Sequence, residues 1–182
     1  MSSADHLNRL LNAAAKGDVS AFEEFVRLTK SQVYGYVIGF APKSQVEDVV
    51  QDTYMRLWKS RTSYDFRKSA RTFLFTIAYR SCTDSLRSAS REAKSLDAFK
   101  LQINRTIGSI TLEESTLDLS TLPKEQRDIV LLVTVAGFSY AETAEIVGVK
   151  VQTVKSRLHE ARKRLIEQSR TTSSLDSLHK LA

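Results

Sequence analysis

The sequence predicts an all-α protein: two small helical domains joined by a flexible linker, the second with a helix-turn-helix. Three observations lead there. Apolar residues recur at steps of three and four, and no run alternates apolar and polar residues over the length of a strand. Helix breakers are scarce, with proline only at Pro42 and Pro123 and 6 glycines in 182 residues. Capping signals stand where several periodic runs begin, as at Ser20/Glu23 and Ser139/Glu142.

The first domain, residues 1–94, reads as four helices. One runs from about Ala4 to Lys16 and stops at Gly17. A second begins at Ser20, with Glu23 three residues on, and reaches about Phe40. Ala41–Ser44 is a turn around Pro42, and a third helix spans about Gln45 to Ser60. Arg61–Lys68 is a polar loop, and a fourth helix covers about Ser69 to Ala93.

Residues 95–118 are rich in Ser and Thr and show no clear period, so they read as a linker with room for one short helix. The second domain, residues 119–170, opens at Thr121-Leu122-Pro123, with proline at a helix entry, and continues to Ala136. A short helix follows, capped by Ser139 and Glu142 and closed near Gly148, where a left-handed residue can turn the chain. The last helix places Val151, Val154, Leu158, Ala161 and Leu165 on one stripe. The tail, residues 171–182, is weakly structured by composition, with an amphipathic turn possible through Leu175, Leu178 and Leu181.

Composition narrows the function. A formal charge of +6 and a pI near 9.5 suit a polyanionic partner. Cys82 is the only cysteine, which excludes an internal disulfide and a cysteine metal cluster. His6, His159 and His179 are isolated, and no Gly-rich phosphate loop or nucleophile motif occurs. The reading is therefore non-enzymatic, with no metal and no cofactor. The polar amino terminus lacks a signal-peptide core, and no apolar run nears the roughly 20 residues of a membrane span. A cytoplasmic location is the expectation.

Three stretches carry the function. In GFSYAETAEIVGVKVQTVKSRLHEARKRL, residues 137–165, two helices meet at a glycine turn. The second is basic opposite its apolar stripe, through Lys155, Arg157, Arg162, Lys163 and Arg164. A solvated amphipathic helix would also look like this; the cap, the turn and the basic bias together favour a helix that reads the major groove. In Val46–Trp58, Val46, Val49, Val50, Thr53 and Leu57 share one face, while Asp48, Gln51, Asp52 and Met55 lie on another. The acids and amide could receive basic helices of a partner, or form an ordinary solvated face. Phe66–Arg80 interleaves cations with aromatics, and Asp84 is the only acid from Arg67 to Arg91. Cations neutralise phosphates and aromatics stack on unpaired bases, while Phe73, Leu74, Ile77 and Ala78 read as core.

The run GFSYAETAEIVGVKVQTVKSRLHEARKRL closely resembles the second DNA-binding domain of the extracytoplasmic-function (ECF) sigma factors of bacterial RNA polymerase. The resemblance covers about residues 18–92 and 119–168 and fits the short class of that family. It implies a protein that binds core polymerase and promoter DNA together. Asp48, Gln51 and Asp52 would grip the clamp helices of the polymerase largest subunit. Tyr64, Phe66, Arg67, Lys68, Arg71, Arg80 and Asp84 would melt the −10 element and hold a flipped base. Gln152, Thr153, Lys155, Ser156, Arg157, His159 and Arg162 would face the −35 element. It also implies an anti-sigma factor as a partner. The implied elements lie about 25 base pairs, or roughly 85 Å, apart. The extended linker reaches at most roughly 90 Å.

Three positions depart from the family pattern. Arg80 stands where Asn is common, Lys150 where Pro is common, and Glu160 where a cation is common. Glu160 would repel phosphate unless it pairs with Lys163 or Arg164 at helical spacing. A stand-alone helix-turn-helix regulator is the rival reading, but it leaves the first domain's two motifs without a role.

Overall fold

The computed structural model describes residues 3–41, 43–93, 110–112, 115–117 and 119–179, with side chains for 3–41, 44–88, 119, 121–169. Four helices form the first domain: α1 (Ser3–Ala15), α2 (Val19–Val37), α3 (Val46–Ser60) and α4 (Ala70–Ala93). The second holds α5 (Lys124–Val130), a π-helical turn (Leu131–Val135), α6 (Tyr140–Val147) and α7 (Val151–His179).

The helices form where the apolar spacing asks for them. Leu7, Leu11 and Ala14 are the buried stripe of α1. The chain leaves α1 at Gly17, whose φ of 102° is a conformation that a side chain would strain. The α2 cap differs from the one expected. Asp18, not Ser20, caps it, accepting the Ala21 amide at 2.9 Å. Asp18 directly follows the Gly17 turn, so it meets the free amides first. Phe25, Thr29, Val33 and Tyr36 then face inward. Buried Thr29 is satisfied twice, by the Phe25 carbonyl at 2.7 Å and the Tyr54 hydroxyl at 2.9 Å. Tyr36 joins α2 to α4 by packing on the Phe75 ring at 5.4 Å.

Between the domains the structure shows a small antiparallel hairpin, β1 (Ile110–Leu112) with β2 (Ser115–Leu117), pairing Ile110 with Leu117 and Thr111 with Thr116. The sequence reads there as a linker with room for a short helix. The β-branched Ile110, Thr111 and Thr116 favour the extended form. Other linker residues, 94–109, 113–114 and 118, lie outside the described residues.

In the second domain, α5 and α6 pack on α7 around Leu122, Ile129, Leu131, Val154 and Leu158. The helix predicted to run on to Ala136 changes to π geometry after Val130. The α7 helix continues to His179, so part of the expected tail is helical. The side chains of Leu175 and Leu178, and all of Leu181, lie outside the described residues.

The two domains pack against each other, through α4 on α6 and α2 on the π-helical turn. Phe75 and Phe138 meet edge to face, with ring centres 4.8 Å apart. Sequence periodicity marked both residues' neighbourhoods as helical but gave no sign of this contact.

Candidate polymerase and promoter interface

The third helix separates its two faces sharply. Val46, Val49, Val50, Thr53 and Leu57 are buried, while Glu47, Asp48, Gln51 and Met55 are exposed and Asp52 is half-buried. Burial of the apolar stripe fixes the helix rotation, and that rotation points the carboxylates outward. Beside them, a groove of about 720 Å³ lies between α2 and α3, walled by Phe22, Val26, Tyr34, Tyr54, Met55 and Trp58. The sequence motif covered only its α3 side. The α2 side was hidden because Phe22, Val26 and Tyr34 look like ordinary members of a buried stripe.

The loop before α4 is held by Tyr64. Its ring is buried against Phe73 at 5.4 Å, and its hydroxyl donates to the Lys68 carbonyl at 2.7 Å and toward Asn8 Oδ1 at 3.4 Å. Burial pushes the phenol pKa up. Tyr64 is thereby corrected from a base-stacking candidate to a residue that shapes the loop, because its ring face is covered. Phe66 is the opposite case, with 67% of its surface exposed. Arg67 is exposed and folds back on Asp65, its Nε 3.1 Å from Oδ1, which holds the Asp65 carboxyl below its usual range. Along α4, Leu74, Ile77 and Ala78 are buried as expected and Phe73 is half-buried. Arg80 and Asp84 point outward.

Two cations of this group touch the second domain. Lys68 Nζ lies 3.5 Å from Glu145 on α6. Arg71 donates to the Ala136 carbonyl and, through Nε, to Gln32 Oε1 at 3.1 Å. Its guanidinium carbon is 4.1 Å from the centre of the Phe138 ring. Burial lowers the Arg71 pKa from its ordinary value, though Glu142 opposes the shift.

The helix-turn-helix is built as its signals require. Ser139 Oγ accepts the Glu142 amide at 3.3 Å, and Glu142 Oε2 accepts the Ser139 amide at 2.9 Å, a complete capping box. Gly148 closes α6 at φ 76°, ψ 38°. On α7, Val154, Leu158, Ala161 and Leu165 are buried, whereas Val151, expected in the stripe, is 39% exposed at the start of the helix. Gln152, Lys155, Ser156, His159 and Arg162 are exposed, and Thr153 and Arg157 are half-buried. Ser156 spends its hydroxyl on its own helix, donating to the Gln152 carbonyl at 3.0 Å.

Glu160 does not pair as the helical spacing suggested. It accepts from Gln126 Nε2 at 2.9 Å, so it ties α5 to the middle of α7. Gln126 is buried at 5% exposure, which gives the bond a reason: its amide would otherwise lose a partner. No local pattern could reveal a pairing across so long a stretch of chain. Lys124 and Asp128 stand at i, i+4 spacing, and their 2.7 Å ion pair sits with the carboxylate at 1% exposure. Among the described residues no group of three or more metal-ligating side chains gathers, and no helix is long and apolar enough to cross a membrane.

Comparison with known proteins agrees with this geometry. Residues 22–92 match the family described as Sigma-70 region 2, and residues 119–165 match Sigma-70, region 4. The ECF RNA polymerase sigma factor SigK of Mycobacterium tuberculosis is 30% identical over 166 residues, covering 85% of this chain and 89% of that one. The Mycobacterium bovis protein called probable RNA polymerase sigma-C factor is 29% identical over 159 residues, with 85% and 86% covered. Among solved structures, CnrH in complex with the cytosolic domain of CnrY superposes with a TM-score of 0.69 at 26% identity, covering 94% of this chain and 98% of that chain. The Bartonella quintana sigma factor RpoE, in complex with the anti-sigma factor NepR, gives 0.67 at 29% identity, covering 82% and 96%. The two matched regions fall on the two helical domains, in sigma-factor order, and the chain belongs to the ECF sigma factors, which direct core RNA polymerase to specific promoters and initiate transcription.

Proposed function

We propose that the promoter-directing work is divided among three exposed faces. Asp48, Gln51 and Asp52 on α3, with Met55 and the adjoining groove, receive basic and apolar side chains of core polymerase. Phe66, Arg67, Lys68, Arg71 and Arg80 engage the −10 element, the cations on phosphates and Phe66 against an unstacked base. Gln152, Thr153, Lys155, Arg157, His159 and Arg162 on α7 face the −35 element. The domains that hold these faces are residues 1–94 and 119–170.

One observation supports this division above the others. The α3 and α7 faces are turned outward because an opposite apolar stripe is buried, and the three sets differ in sign: acidic on α3, cationic in the loop before α4 and on α7. Basic protein helices and polyanionic DNA are the partners such faces attract. Opening duplex costs a few kcal/mol per flipped base, which stacking and phosphate contacts offset. The chain supplies specificity while the polymerase supplies the chemistry, so it acts as no enzyme itself and works in the cytoplasm with its polymerase. The solved relatives CnrH and RpoE are bound to CnrY and to the anti-sigma factor NepR, which supports an anti-sigma partner here too.

Run-off transcription with purified core polymerase tests the reading. Promoter-specific transcripts should appear only when the chain is added. Tight binding to a DNA site with no capture of core would overturn it.

A further inference from the structure

We infer that Arg56 is a positioning residue for the −10 face: by holding Asp84, it keeps Arg80 free for DNA. This rests on the −10 reading of Arg80 above. Arg80 and Asp84 stand four residues apart on α4, and both are exposed. At that spacing an arginine and a carboxylate on one helix pair with each other. Asp84 is instead taken from the neighbouring helix. Arg56, on α3, donates from Nη1 to Asp84 Oδ2 at 2.6 Å. Its Nε lies 2.8 Å from Asp52 Oδ2, one turn back on its own helix. Two acids thus grip the guanidinium at two edges and fix it as a bridge from α3 to α4. Among the described residues Arg80 has no ion pair and no side-chain hydrogen bond.

The residue at position 80 makes this hold matter. An asparagine there would carry no charge for Asp84 to capture. Arg80 does, and a carboxylate one turn along its own helix competes with phosphate for the same guanidinium. Arg56 removes that competitor in two ways. It occupies the Asp84 oxygen, and it cancels a negative charge that would repel the strand. Arg56 itself has both edges engaged by carboxylates, so its effect on DNA runs through Asp84 rather than through a contact of its own. Arg87, exposed three residues beyond Asp84, is a second cation that a released carboxylate could reach. The test therefore has to read through Arg80.

The test uses holoenzyme assembled from core polymerase and the full chain, on a promoter that yields run-off transcripts. Arg56→Met removes the guanidinium and keeps an apolar stem. Permanganate reactivity of unpaired thymines reads opening, and co-purification reads core capture. Arg56→Met should slow opening about twofold to fivefold at low salt, the range of one helical ion pair and one uncovered carboxylate. Core capture should stay within about twofold, since Asp52 loses an orienting partner and a competitor together. A purely structural role for Arg56 would lower both readouts alike and would overturn the inference. The slowing should vanish in two backgrounds: Asp84→Asn, which leaves no carboxylate to capture Arg80, and Arg80→Ala, which leaves no guanidinium to be captured. Persistence in the first would show that Arg56 meets DNA itself. Persistence in the second would show that it acts through another cation. Either result sinks the inference. Normal opening in Arg56→Met, with Arg80→Ala slowed, would overturn it alone. Normal opening in Arg80→Ala would remove the −10 reading of Arg80, and the inference with it.

Discussion

Arg56 donates to Asp84 at 2.6 Å while its Nε stands 2.8 Å from Asp52. One guanidinium is thus shared between the acidic face of α3 and the cationic face of α4. It neutralises Asp84, the only acid between Arg67 and Arg91. Each carboxylate raises the Arg56 pKa, Asp84 most strongly. The three side chains are 42–51% exposed, so each bridge contributes only about 0–1 kcal/mol. The arrangement orients Asp52 more than it stabilises the fold.

Charge reversal on α3 should therefore separate binding from folding. Asp48→Arg and Asp52→Arg each weaken capture by core polymerase, because a basic partner then meets like charge. Asp52→Arg has the added effect of facing Arg56 with a second cation. Neither site is buried, so stability should move by no more than about 0.5 kcal/mol for Asp48→Arg. Co-purification with core and a thermal melt measure the two. Full co-purification of the double variant would remove α3 from the interface.

Phe66 and Tyr64 are two residues apart and should behave as opposites. Phe66→Ala, at 67% exposure, leaves stability unchanged and lowers open-complex formation more than duplex binding. Arg80→Ala should do the same. Tyr64→Phe instead loses the 2.7 Å bond to the Lys68 carbonyl and costs about 0.5–1.5 kcal/mol of stability. Permanganate reactivity of unpaired thymines and denaturant unfolding separate the effects. Equal reactivity in wild type, Phe66→Ala and Arg80→Ala would take melting away from both side chains.

Asp128 sets a pH dependence whose sign can be worked out. Burial raises its carboxyl pKa above the ordinary 3.8, and the Lys124 ammonium only partly opposes this. The folded state then holds the proton more tightly than the unfolded chain. The group's contribution to stability is full below the ordinary value and is lost as pH rises through the raised one. Its carboxylate also raises the pKa of Tyr36, Tyr79 and Cys82 across the domain contact, while burial is the larger cause in each and takes the Cys82 thiol to about 12. Asp128→Asn should match wild type in acid and become relatively more stable as pH climbs past the raised value. Urea unfolding at a series of pH values measures the difference, and a difference independent of pH would show that the carboxyl titrates as it does in the unfolded chain.

Local signals carried most of the fold. Gly17, Gly148 and the Ser139–Glu142 box were readable because a cap is decided within four residues of chain. The rotation of α3 was readable because Val46, Val49, Val50 and Leu57, with Thr53 between them, had to share one side. What stayed hidden depends on distance. Gln126 reaches Glu160, Arg56 reaches Asp84, and Arg71 reaches Ala136 only after helices dock. Tyr64 was misjudged for the same reason: a tyrosine in a polar loop is indistinguishable from an exposed one until Asn8 and Phe73 close over it.

The reading helix allows base and phosphate contacts to be told apart. Lys155 is exposed one turn into α7, and Arg157 is half-buried two residues on, on a different side of the helix. A lysine free to reach the groove floor reads base edges, so Lys155→Ala should cost about 1–3 kcal/mol on the cognate −35 duplex and relax preference at one position. An arginine held near the helix flank meets the backbone. Arg157→Ala should then weaken all duplexes alike and reduce the salt slope by about one. Glu160→Gln is the control. It keeps a bond to Gln126 Nε2 within reach and removes a negative charge from the DNA side, so affinity should rise on matched and scrambled duplexes together. Anisotropy of the full chain on both duplexes, at several salt concentrations, reads all three. If Lys155→Ala and Arg157→Ala leave affinity unchanged everywhere, α7 meets DNA with another face.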